Sequence, residues 1–136
     1  MTKQETIRVK DVMKHEFDQV DGTDTVQSAL QQMQHHDSHI LIVNKRNDDD
    51  EYGIVLLADI AKKVIAKDRS PERVNLYEIM SKPVISVDAN MDIRYCARLF
   101  NNFGLNIAPV VENESGKLVG IVSYNDIVLK GLVKLL

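Results

Sequence analysis

Leu118–Val128 reads Leu-Val-Gly-Ile-Val-Ser-Tyr-Asn-Asp-Ile-Val, an apolar strand that runs into a serine, two spacer residues, an aspartate and the start of a helix. Gly120, Ile121, Ser123 and Asp126 are its informative positions. Tyr52–Ile60, YGIVLLADI, is a second version of the same element, with Leu56 where the later copy has Ser123.

The glycines Gly53 and Gly120 lie 67 residues apart, and that offset aligns much of the chain without a gap. Met13 then pairs with Met80, Val20 with Val87, Asp21 with Asp88, Ile40 with Ile107, Val43 with Val110, and Asp59 with Asp126. One register kept from end to end indicates duplication of a supersecondary unit. The repeats are expected to occupy residues 1–68 and 69–136, together forming one module.

Each repeat reads as helix, strand, helix, strand, strand, helix. Val9–Met13 and Leu76–Met80 have the apolar spacing of one helical turn, and Phe17–Val20 and Val84–Val87 read as short extended pieces, the second after Pro83. Thr23 and Asn90 are expected N-caps, with Asp24 and Asp92 near the positive end of the following helix. Val26, Ala29, Leu30 and Met33, and Ile93, Ala97 and Phe100, form helical stripes packed on one side. Ile40–Val43 and Ile107–Val111 read as buried strands. Polar turns follow and join them as hairpins to Gly53–Leu57 and Gly120–Val122. Ala58–Ala66 and Asn125–Leu135 close the repeats as helices, and Pro71 is expected in the first turn of a helix after the linker. Two small sheets packed together would cover faces that neither repeat could bury alone.

Composition bounds the function. The chain has 136 residues, 44% of them hydrophobic, and a net charge of -3 from 17 basic and 20 acidic residues. That length suits one compact unit, and the balanced charge argues against a general nucleic-acid binder. No apolar run approaches the ~20 residues of a membrane span, and Met1–Lys10 lacks the apolar core of a signal peptide. A cytoplasmic protein with neither membrane nor nucleic acid as partner is expected. The single cysteine, Cys96, reads as a buried thiol.

The GIVSYNDI element, the KDVM (Lys10–Met13) and YEIM (Tyr77–Met80) lead-ins and APVV (Ala108–Val111) together resemble a tandem pair of cystathionine β-synthase (CBS) domains, a Bateman module. The resemblance runs from about Val9 to Leu132. It implies an α/β fold of two pseudo-twofold-related β-α-β-β-α units with small sheets packed together. It also implies a regulatory module sensing an adenosine-containing nucleotide (AMP, ADP, ATP or S-adenosylmethionine) in clefts between the repeats, a homodimer, and an effector protein as the regulated partner. In the family pattern the aspartate bonds the ribose hydroxyls and the serine lies near the phosphates.

Carried over by residue, the resemblance gives two unequal sites. One takes Gly120, Ile121, Ser123 and Asp126 with Phe17, Asp18, Ser38 and Ile40, where the charge of Asp18 would repel a phosphate if it faced inward. The other takes Gly53, Ile54 and Asp59 with Val84, Ile85, Leu105, Ile107 and Pro109, and Leu56 there cannot donate a hydrogen bond. His39 is expected near a ligand phosphate, so that protonation would tighten binding as pH falls.

The competing reading is structural. Ser-x-x-Asp at a strand-to-helix junction is also a capping box, which contributes ~1 kcal/mol without any ligand; the alternative function is therefore a ligand-free dimerisation or interaction scaffold. His35 and His39 have the i, i+4 spacing of helical metal ligands, but they span a helix end, and no metal site is assigned. Asp48–Glu51 reads as a solvated hairpin tip. Neither a catalytic constellation nor a cofactor motif is present, so a non-enzyme whose only small molecule is a regulatory ligand is expected.

Overall fold

The computed structural model describes residues 6–82 and 85–136. Val84, expected in a ligand site, and Pro83 before it lie outside the described residues.

The chain divides into two compact units, one of Met1–His15 with Ile85–Leu136 and the other of Glu16–Val84. These units differ from the sequence repeats in one respect: each lead-in packs with the core of the other repeat. Val9–Val12, helix α1, is buried through Val9 and Val12 in the same apolar cluster as Ile93, Phe100 and Val122. The 3-10 turn Leu76–Glu78 buries Leu76 with Val26, Leu41 and Val55.

Each unit holds one three-stranded sheet. In Glu16–Val84 the strands are β1 (Asp18–Val20), β2 (Ile40–Val43) and β3 (Gly53–Leu56), with β2 central, parallel to β1 and antiparallel to β3. Helix α2 (Val26–Gln32) makes the parallel crossover, as two parallel neighbours require. The other unit repeats this with β4 (Val87–Asp88), α4 (Ile93–Phe103), β5 (Ile107–Val111) and β6 (Leu118–Ser123). All four residues of β2 are buried, which explains its unbroken apolar run.

Pro109 sits in the central strand β5, where a missing N–H would ordinarily cost a ladder bond. Strand β4 is short, though, and pairs only with Val110 and Val111. Pro109 therefore has no β4 partner, whereas its counterpart Ile42 is paired with Gln19.

Helix α3 (Leu57–Ile60) continues as a π-helical segment, Ala61–Ile65. Helix α5 (Tyr124–Asp126) likewise runs through a π-helical Ile127–Leu132 into α6 (Val133–Leu135). Both closing helices thus carry the same rare geometry after the strand.

Some local expectations are corrected. The N-caps are Thr25, whose hydroxyl accepts from Ser28 N, and Asp92, whose carboxylate accepts from Arg94 N, each two residues beyond Thr23 and Asn90. Asp24 instead folds back to accept from Asp21 N at 3.1 Å, and Pro71 lies in a turn rather than a helix. In α2, Val26 and Ala29 are buried, as is Met33 just past its end, but Leu30 is exposed.

Candidate functional site

Both distinctive elements place an aspartate just inside a helix that begins where a strand stops. The strand ends, Leu56 and Ser123, are extended at φ -83° and -127°. The next amides cannot bond within the helix. Leu57 N donates to His39 O and Tyr124 N to Asn106 O, each at 3.1 Å, so each helix start is tied to the central strand's entry.

Ser123 and Asp126 form a complete reciprocal cap. Ser123 N and Oγ donate to Asp126 Oδ2 at 3.1 and 3.0 Å, and Asp126 N donates back to Ser123 Oγ at 3.3 Å. Asp126 is only 4% exposed, and its Oδ1 faces Lys130 Nζ at 3.6 Å. In the first repeat only half of this survives: Leu56 N donates to Asp59 Oδ2 at 3.0 Å, and leucine returns nothing. Asp59 thus has a structural role even without the serine.

The remaining expected residues fall as follows. Strand pairing sets Ile107 beside Ser123 and Pro109 beside Ile121, and Ile40 beside Leu56. Ile40, Ile54, Ile121, Gly120 and Pro109 are buried; Phe17, Ser38, Ile85, Leu105 and Ile107 are half-buried. Ser38 Oγ donates to His35 O at 2.8 Å. His39 is exposed and takes the left-handed conformation, φ 60°, so His35 and His39 are not successive turns of one helix. Asp18 is a tether: its two carboxylate oxygens accept from Gln34 N and His35 N at 3.0 and 2.9 Å, fixing the end of α2.

The acidic hairpin is corrected as well. Asp48 and Asp49 are exposed, but the side chain of Asp50 is 12% exposed and accepts from Lys82 Nζ at 2.7 Å, from Arg46 N at 2.9 Å and from Arg46 Nε at 3.4 Å. The Lys82 ammonium leads in holding this carboxyl well below the usual range. Lys82 lies 32 positions away in sequence, so no local pattern signals the pair.

Burial pushes the Cys96 thiol up to about 11, leaving it a neutral core group rather than a nucleophile at physiological pH. Among the described residues no set of three His, Cys, Asp or Glu side chains is arranged to hold a metal. No helix among them is long and apolar enough to cross a membrane.

With paired β-α-β-β-α units and aspartate-capped junctions in place, the chain belongs to the CBS domain family, which matches residues 9–66 and 76–131. It is 33% identical over 102 residues to an uncharacterized protein of Methanopyrus kandleri, covering 75% of this chain and 50% of the relative. It spans about half or less of the length of the first curated relatives it matches. A hexameric CBS-CP12 protein from bloom-forming cyanobacteria superposes with TM-score 0.82 at 34% identity, over 94% of this chain and 73% of that one. A CBS domain pair solved with 5-methylthioadenosine and S-adenosyl-L-methionine shares the fold, with TM-score 0.72 at 22% identity over 91% and 94%.

Proposed function

We propose that the chain is a regulatory module that binds an adenosine-containing ligand, of the AMP, ADP and ATP class or S-adenosylmethionine, with Asp126 and Asp59 receiving ribose hydroxyls. The observation that carries this reading is the state of Asp126. One oxygen is fixed by the cap while the other, among the described residues, meets only a 3.6 Å ion pair with Lys130. A carboxylate so held is preorganised and keeps acceptor capacity for a diol. The solved pair that holds methylthioadenosine and S-adenosylmethionine makes adenosine ligands the first class to try. The regulatory output passes through a homodimer to an effector protein, and a ligand shifts that output only by binding one geometry better than another.

The scaffold reading has its own support, since both aspartates already cap helices. Thermal melting with AMP, ATP, NAD and S-adenosylmethionine separates the two. A ligand at 100 times its Kd adds about 2.7 kcal/mol to stability, and Asp126→Asn and Asp59→Asn are each expected to remove part of that shift. Unchanged melting with every ligand leaves the scaffold.

A further inference from the structure

We propose that the Glu16–Val84 unit carries a separate site for a small organic anion with an aromatic or apolar body, at the end of β2 farthest from Ile40. There the β1–α2 turn, the exit of β2 and the second lead-in border a half-open cleft of about 610 Å³. That volume falls within the range of small-molecule pockets.

The lining divides into two chemistries. Gly22, Val43, Tyr77 and Met80 supply an uncharged floor, and Lys45, Arg46 and Lys82 supply the charge. Tyr77 N donates to Gly22 O at 3.0 Å, and a Cβ on Gly22 would come within 3.3 Å of Tyr77 Cβ. The glycine thus lets the turn close on the tyrosine, which is still 53% exposed. An aromatic body can stack on that ring.

The cations are held in different ways. Asp50, which is not part of the lining, fixes Lys82 at 2.7 Å. Lys45 lies over the ring of Tyr52 at 5.0 Å, and Arg46, its side chain 82% exposed, meets the same Asp50 through Nε at 3.4 Å. The one carboxylate in the lining, Asp21, accepts from Asn44 Nδ2 at 3.0 Å. Counting Asp50 behind the rim with Asp21, three cations face two carboxylates, so the site stays net positive and favours an anion, and charge-assisted hydrogen bonds to it are the strong kind.

The other unit contains an internal control. At positions shifted by the 67-residue offset, Met13, Asp88, Ala89 and Glu112 replace Met80, Asp21, Gly22 and Lys45 around a cavity of about 520 Å³. That lining has Asp88, Glu112 and Glu114 against Lys10. Duplication made both cavities, and divergence gave them opposite charge. The anion preference therefore belongs to these side chains and not to the fold, and none of them is a proposed ribose residue.

Titration of the 15N-labelled chain with phenyl phosphate, benzoate and inorganic phosphate tests the assignment. Saturable amide shifts are expected at Gly22, Thr23, Lys45, Arg46 and Tyr77, without saturable change at Ala89, Asn90 and Glu112. Phenyl phosphate should bind at least tenfold tighter than inorganic phosphate, and benzoate shows whether a carboxylate serves as the anionic head. Lys45→Glu combined with Arg46→Glu should weaken phenyl phosphate at least tenfold while the remaining spectrum stays dispersed. Absence of saturable shifts, equal response of both cavities, or full binding by the folded double variant overturns the proposal. Melting shifts with adenosine ligands, present or absent, leave these outcomes untouched.

Discussion

Lys82 Nζ lies 2.7 Å from Asp50 Oδ2, joining the segment after the second lead-in to the β2–β3 hairpin, with both side chains at least four-fifths buried. The folded-state pKa of Asp50 is lowered, chiefly by the Lys82 hydrogen bond and then by Arg46 N. Such a group contributes stability that is fully present above the unfolded pKa, about 3.9, and is lost as pH falls through the folded value. Asp50→Asn should therefore lower the urea midpoint at neutral pH. The gap from wild type should narrow as pH falls below that unfolded value; urea titrations from pH 7 to pH 2.5 check it, and a gap constant with pH would refute the ionic origin.

Gly120 and Gly53 are equivalent in sequence but not in packing. A Cβ on Gly120 would meet Lys14 O at 2.7 Å and Met13 Sδ at 2.7 Å. Lys14 exchanges backbone hydrogen bonds with Ile121 at 2.8 and 3.0 Å, so that carbonyl cannot retreat without breaking them. At Gly53 the nearest atom is Met80 Sδ at 2.8 Å, the flexible end of a side chain, followed by Val43 Cβ at 3.2 Å. Gly120→Ala should cost about 1–3 kcal/mol. Gly53→Ala should cost less, measured by urea unfolding of both variants.

The unequal glycines show where the sequence was legible and where it was not. A fixed offset and unbroken apolar runs expose long-range architecture, because buried strands and helical stripes must repeat with the fold. Strands Ile40–Val43 and Ile107–Val111 are found at the limits read from their residues. Caps are less legible, since Thr23 and Thr25 are both suitable and only the turn geometry selects Thr25. The roles of Asp50 and Asp18 were invisible, because a carboxylate in a polar stretch looks solvated until a distant partner folds against it. Asp126 shows both sides: its position at a helix start was readable, whereas its 4% exposure and its approach to Lys130 depend on packing.

The C-terminal helix carries a wider exposed apolar surface than its counterpart in the first repeat. Leu129 is 68% exposed and Leu132 48%, with Val128 and Val133 also exposed. At the same offset the earlier helix has Lys62 for Leu129 and Ala61 for Val128, while Ile65 at the place of Leu132 is exposed as well. A homodimer contact on this face predicts that Leu129→Glu with Leu132→Glu lowers the mass measured by light scattering while leaving the circular dichroism spectrum intact. An unchanged mass would rule this face out as a dimer contact.

The Ser123–Asp126 cap makes a prediction that needs no ligand. Ser123→Ala removes one donor and one acceptor from the box and should cost about 1 kcal/mol. Asp126→Ala removes the shared acceptor Oδ2, which receives both Ser123 N and Ser123 Oγ, and it also takes the carboxylate away from Lys130. Because the two residues share their bonds, the losses should not add, and a double-mutant cycle should return a coupling of about 0.5–3 kcal/mol. At Leu56 no such coupling to Asp59 is expected, since only the Leu56 backbone takes part. Repeating both cycles with a saturating ligand divides the roles. Coupling unchanged by ligand makes Ser123 a cap alone, whereas coupling that changes in the second repeat and not the first places the ligand's charged end at Ser123.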